Sequence, residues 1–208
     1  ASISYLGSLI FFMAYRKERK SNRLIWGIAF LLYAFGHTIM AFISVIPLEA
    51  LPYKVGLWMY VNLGGTGTTG LILYSTLSFL TAKKALRLVP TIVFIFLYFI
   101  GTMLFAFFLP SDTPLAFINP MAEKTQISNM SWWLVELLIT ASIFIGVVFL
   151  HQYKISGDLW AILIGISFLM YAVILFVWPF PPLKPVFYSI RCVSVAFLGA
   201  GGILLARE

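Results

Sequence analysis

The chain has 208 residues, 62% of them hydrophobic and only 10% charged, with a formal net charge of +7. Soluble domains are about 45–50% apolar and about 25% charged, so this composition excludes a soluble enzyme and describes a chain whose main solvent is lipid. The basic residues sit in short segments between apolar runs, which makes them a topology signal and leaves no nucleic-acid surface to propose.

Taken in order, the apolar runs predict seven helices, roughly Ile3–Tyr15, Leu24–Ile46, Val55–Leu80, Leu88–Leu109, Ser131–Leu150, Leu159–Trp178 and Val186–Ala206. Most reach the ~20 residues that cross a hydrocarbon core of about 30 Å. In lipid each segment must satisfy its own backbone hydrogen bonds, which forces helices, and the runs lack the alternation of barrel strands. The expected fold is an all-α polytopic bundle, one transmembrane domain over 1–208, embedded in the cell membrane. The first run is short and the chain stops as the seventh helix emerges, so a cytoplasmic output domain is expected beyond Glu208.

Loop charges set the sidedness. Arg16, Lys17, Arg19, Lys20, Arg23, Lys83, Lys84, Arg87, Lys154 and Arg207 fall on one side, against Lys54, Lys124 and Lys184 on the other. The positive-inside rule puts the N-terminus outside and the C-terminus in the cytoplasm. Trp58, Trp132, Trp133, Trp178 and Tyr188 lie near the predicted outer ends, as an interfacial belt would. One outer segment is long, from Pro110 to Met130, and reads equally as a lid or as a plain connector.

An internal repeat is the strongest pattern. Gly27-Ile28-Ala29-Phe30-Leu31-Leu32-Tyr33-Ala34 reads almost like Gly165-Ile166-Ser167-Phe168-Leu169-Met170-Tyr171-Ala172, and the same offset pairs Phe11 with Phe149, Tyr15 with Tyr153 and Arg16 with Lys154. This predicts a 3+1+3 parallel arrangement: a first repeat over about 1–82, a linker helix over about 88–109 and a second repeat over about 131–206. The runs Gly64-Gly65-Thr66-Gly67-Thr68-Thr69-Gly70 and Gly199-Ala200-Gly201-Gly202 read as close-packing faces.

Ionisable groups within a bilayer cost about 2.5–3.5 kcal/mol each at the centre, so the few present are candidate site residues. They are His37 in the second helix, Glu136 in the fifth and Arg191 in the seventh, with the polar Asn62 in the third. Helical spacing groups Asn62, Thr66 and Thr69, then Trp133, Glu136 and Thr140, then Tyr188, Arg191 and Ser194 or Val195, with Tyr33 one turn from His37. The expected ligand-binding set is His37, Asn62, Thr66, Glu136, Arg191, Tyr33, Trp133 and Tyr188, with Glu136 and Arg191 either ion-paired across the bundle or snorkelling separately. No cofactor or metal is expected. Lys184 precedes the seventh helix and offers no retinal attachment, and His151 lies far in depth from His37, which leaves no paired haem ligands.

In topology alone the chain resembles the seven-helix membrane-sensor modules of prokaryotic signalling proteins. That resemblance implies a receptor or sensor module with an outward-facing polar pocket for a small ligand, while no HExxH, intramembrane Asp pair or Ser–His–Asp order supports an enzyme. A 3+1+3 repeat is also the plan of small sugar transporters of the Pro-Gln-loop kind, whose Pro-Gln dipeptide is absent here, so a small-solute or ion transporter or channel is the alternative.

Overall fold

The computed structural model describes residues 2–43, 51–107, 129–177 and 184–207, and these are almost wholly helical. The elements are α1 (Ser2–Glu18), α2 (Ser21–Ile43), α3 (Leu51–Met59), a π-helical segment (Tyr60–Gly67), α4 (Thr68–Leu80), α5 (Lys84–Phe107), α6 (Asn129–Ser156), α7 (Leu159–Val177) and α8 (Lys184–Arg207). Each predicted apolar run that the structure describes is helical. Among the described residues, five helices are long and apolar enough to cross a membrane, which is consistent with a helical membrane protein. The long segment from Pro110 to Met130 lies almost wholly outside the described residues, as does Trp178.

Two tight turns join neighbouring helices at the basic end. Between α1 and α2, Arg19 takes a left-handed φ of 58° and its N–H donates to the Tyr15 carbonyl at 2.7 Å. Between α6 and α7, Gly157 takes φ 76° and donates to the Tyr153 carbonyl at 2.8 Å. One left-handed residue satisfies an orphan carbonyl and reverses the chain, which is why both links need only two residues. The next backbone bonds also correspond, Arg23 to Lys20 and Ala161 to Asp158, each 3.0 Å.

α1 packs on α2, and α2 on the π segment and α4; α6 packs on α7, and α7 on α8. The two triplets meet where α1 touches α8 and α4 touches α6. Small residues set these approaches. Ser8 Oγ donates to the Gly27 carbonyl at 2.9 Å across α1–α2, and a Cβ on Gly146 would stand 3.0 Å from the Gly165 carbonyl across α6–α7. A Cβ on Gly202 would stand 3.1 Å from the Phe30 ring, which brings α8 against the first triplet. α5 turns most of its surface outward and buries only a stripe through Thr91, Phe94, Tyr98 and Thr102.

The core thickens toward the basic end. Phe11, Trp26 and Phe30 pack ring to ring, Phe149 meets Trp26 edge-on, and Phe79 and Trp160 close the group. Aromatic pairs in these geometries contribute roughly 0.5–1.5 kcal/mol each beyond their buried area. Trp26 satisfies its indole N–H on Ser75 Oγ at 3.0 Å, so the ring is buried without an orphan donor.

Candidate functional site

α2, the π segment, α4, α7 and α8 surround a small interior cavity of about 50 Å³. Arg191 of α8 supplies its charge. The Arg191 Nη2 group donates to His37 Nε2 at 2.9 Å and to the Tyr60 hydroxyl at 3.4 Å. A guanidinium has no acceptor, so Nε2 must accept. His37 therefore carries its proton on Nδ1, which donates to the Tyr33 carbonyl at 2.9 Å. The imidazole is thus neutral, and its tautomer is set by the two bonds together. The Tyr33 ring lies tilted against His37 at 4.1 Å between centroids and Tyr60 meets the imidazole edge-on, so the two groups bonded to the guanidinium also brace each other.

The wall facing Arg191 is rich in hydroxyls: Tyr33 of α2, Thr68 and Thr69 of α4, Ser167 and Tyr171 of α7, and Ser194 of α8. Several of these hydroxyls are already committed as donors. Ser167 donates to the Ser194 carbonyl at 2.8 Å and Ser194 to the Ser167 carbonyl at 2.9 Å, a reciprocal clasp between α7 and α8. Thr68 donates to the Ala29 carbonyl at 3.2 Å. Thr69 and Tyr171 add hydroxyls that can donate, beside the N–H groups of Arg191. A water needs about 10–15 Å³ of such space, so the cavity has room for a few waters or one small polyatomic ion, not for a drug-sized molecule.

Of the expected residues, the structure brings together Tyr33, His37 and Arg191. Asn62 lies apart. Its Nδ2 donates to Thr102 Oγ1 on α5 at 3.0 Å and to the Trp58 carbonyl at 2.9 Å, which ties the π segment to α5. Thr66 is buried, with its hydroxyl on the Val61 carbonyl at 3.4 Å, and is not among the described cavity residues. The expected face of Asn62, Thr66 and Thr69 assumed α-helical spacing, and the i→i+5 pattern of the π segment breaks it.

Of the two alternatives for Glu136 and Arg191, the ion pair is not formed. Glu136 is exposed and takes part in no ion pair among the described residues. Its position explains this: α6 buries Leu134, Val135, Leu138, Ala141, Ile145 and Phe149, and Glu136 stands on the opposite face with Ile143 and Val147. Trp133 and Tyr188 fall within α6 and α8, but their side chains lie outside the described residues.

The helical face shared by Arg191 with Ser194 or Val195 does line the cavity, whereas sequence reasoning overlooked Tyr60, Tyr171 and Ser167. A signal for Tyr171 was present, because the internal repeat pairs it with Tyr33. Ser167 replaces Ala29 at the paired position, the one polar difference within the matching stretch. Tyr60 carried no signal, since an interfacial tyrosine is common in membrane helices. No protein-family model matches this chain, and no curated protein or solved structure matches it either, so the chemistry of the site must be read from its own side chains.

Proposed function

We propose that the chain is a membrane-embedded receptor or sensor module that recognises a small anion, or the carboxylate of a small ligand, at Arg191. The observation that carries this is a guanidinium held by His37 and Tyr60 at the wall of a hydroxyl-lined cavity inside the bundle. The two bonds fix its position before a ligand arrives, which lowers the ordering cost of binding. The cation costs free energy in a low-dielectric interior, and an oxygen ligand that accepts its N–H groups offsets that cost.

In this reading the bundle crosses the membrane seven times, with α3, the π segment and α4 as one crossing and α1 as the first. The basic turns face the cytoplasm, so the N-terminus is outside. The duplication is supported by matching structure at the sequence offset. Arg19 and Gly157 make the same left-handed turn, Ser8 and Gly146 meet the carbonyls of Gly27 and Gly165, and contacts between the triplets interchange when the halves are swapped. Labelling single cysteines in the turns at 19–20 and 157–158 with a membrane-impermeant reagent tests the sidedness. Reaction in intact cells would reverse it.

The binding reading is tested in nanodiscs by thermal shift with formate, acetate, nitrate, chloride and phosphate. At least one should raise the melting temperature in the wild type and less in Tyr171→Phe or Thr69→Val, which leave Arg191 in place. No shift with any anion, or equal shifts in the variants, refutes the site. A transporter is the second reading, favoured by the cavity lying between the halves with the paired Tyr33 and Tyr171 both lining it, where repeat-built transporters hold their solute. Flux of the bound anion into liposomes would select it.

A further inference from the structure

A second, larger cavity of about 610 Å³ opens at the basic end of the bundle, far along the helices from Arg191. Its floor is the aromatic group: Phe11 of α1, Trp26 of α2, Phe79 of α4 and Trp160 of α7. Its rim is the α1–α2 turn, with Lys20, Asn22 and Arg23. The volume lies within the roughly 300–1,000 Å³ of pockets that take molecules of many atoms, so this cavity accepts what the Arg191 cavity is too small to hold.

The charge at the rim is arranged for an anion. The segment from Arg16 to Arg23 holds Arg16, Lys17, Arg19, Lys20 and Arg23 against the single acid Glu18. Arg23 is 5% exposed, so its guanidinium is drawn into the wall. One of its nitrogens meets Glu18 at 2.7 Å and the Ala14 carbonyl at 3.4 Å, and a guanidinium has further N–H donors beyond that one. Lys20 stands 3.1 Å from the same carboxylate, with its side chain mostly exposed at the mouth. Cationic rim and apolar aromatic floor thus lie at one level, at the ends of membrane helices. Basic pockets between such helices, beside an anionic leaflet, hold lipid headgroups.

We propose that this cavity binds one anionic phospholipid of the adjoining leaflet, with its phosphate at Lys20 and Arg23 and part of an acyl chain against Trp26 and Trp160. The ligand chemistry needs both parts. A free phosphate leaves the aromatic floor uncovered, and a zwitterionic lipid brings a second cation to a rim that is already basic. The site joins α1, α2, α4, α7 and α8, so its occupant bridges both triplets at the end where they are most tightly cored. This proposal does not depend on the Arg191 reading.

The test uses the full chain in detergent and counts retained lipid by native mass spectrometry. The arms are phosphatidylglycerol, phosphatidylcholine of the same chain length, and phosphatidylglycerol with millimolar inorganic phosphate added. The wild type should retain one phosphatidylglycerol, with about tenfold or greater preference over phosphatidylcholine. Phosphate should not displace it. Lys20→Gln, at an exposed position, should reduce the preference about threefold to fivefold. Ser21→Phe, which fills the mouth, should abolish retention while the anion response at Arg191 persists. Equal retention of the two lipids overturns the proposal, as does displacement by phosphate, which would mean that the site reads a free anion. Wild-type retention and preference in Lys20→Gln overturns it too, whether or not Ser21→Phe folds.

Discussion

Gly36→Ala tests the link between packing and the Arg191 site most directly. A Cβ at Gly36 would lie 2.7 Å from both Cα and N of Gly64 and 3.2 Å from the Tyr60 carbonyl oxygen. The first two distances fall short of ordinary contact, which begins at 3.4 Å, by about 0.7 Å. The opposing atoms are backbone, so no rotamer change relieves the clash and α2 must move away from the π segment. Overpacking costs about 1–3 kcal/mol, and a backbone-on-backbone clash belongs at the upper end, near ~3 kcal/mol. For a chain of this size that corresponds to a melting temperature lower by about 6–12 °C. His37 follows Gly36 directly, so the same displacement draws the imidazole away from Tyr60 and Arg191 and weakens any anion response. Gly65→Ala is the control, because no atom lies within 4 Å of its Cβ position and alanine costs the unfolded chain less entropy to order. Thermal melting in detergent, with and without the stabilising anion, reads both effects. If Gly36→Ala melts with the wild type, or Gly65→Ala falls as far, the close approach does not organise the site.

Four further outcomes are expected. Arg19→Gly should raise stability by about 1 kcal/mol, because a non-glycine residue in the left-handed region costs about 1–2 kcal/mol and the paired position already has Gly157; no gain in a denaturant or thermal series would count against a native turn of this shape. His37→Leu removes the acceptor for Arg191 and should cost about 1.5–3 kcal/mol, while His37→Gln, which keeps an acceptor, should recover part of it; equal losses would refute the hydrogen-bond account. Glu136→Gln should change stability by less than about 0.5 kcal/mol and leave the anion response intact, and a lost response would return Glu136 to the site. Arg23, and then Lys20, hold the Glu18 carboxyl below the usual carboxylate range. A lowered value in the folded state gives a contribution that is present at neutral pH and lost as pH falls through that range, so Glu18→Gln should flatten the acid limb of the stability curve and an unchanged limb would refute the pairing.

Much of the architecture was legible because lipid imposes a simple rule on composition. Runs of about 20 apolar residues must be helices, and the structure describes a helix at each of the seven. The two tight turns were legible only through the repeat. Arg19 gives no local warning of a left-handed φ, whereas Gly157 at the paired position does. The site was legible in its expensive members. An arginine and a histidine inside apolar runs face inward for the same energetic reason, and they meet at 2.9 Å. Glu136 fails the same argument because depth along a helix and direction around it are separate quantities. Spacing alone does not say which face of α6 meets α7, and the face carrying Glu136 also carries Ile143 and Val147, as a lipid-facing one can.

The third helix shows why the remainder was hidden. Periodicity assigns faces only while the turn stays constant, and between Tyr60 and Gly67 it does not. The wider turn sends Asn62 to Thr102 on α5, away from the cavity, while Thr68 and Thr69, a turn later, line it. The run Gly64-Gly65-Thr66-Gly67 reads as a close-packing face, and Gly64 does pack, backbone to backbone, on Gly36. The same segment also delivers Tyr60 to Arg191. A π stretch sacrifices regular hydrogen bonding and tends to occur where a helix has a second task. Here the wider turn sets the register between Tyr60, which meets the guanidinium, and Thr68 and Thr69, which line the cavity. Restoring α-helical register by deleting one residue between them would turn Tyr60 by about 100° against Thr68 and Thr69 and should separate its hydroxyl from Arg191, lowering the anion response in the thermal-shift assay.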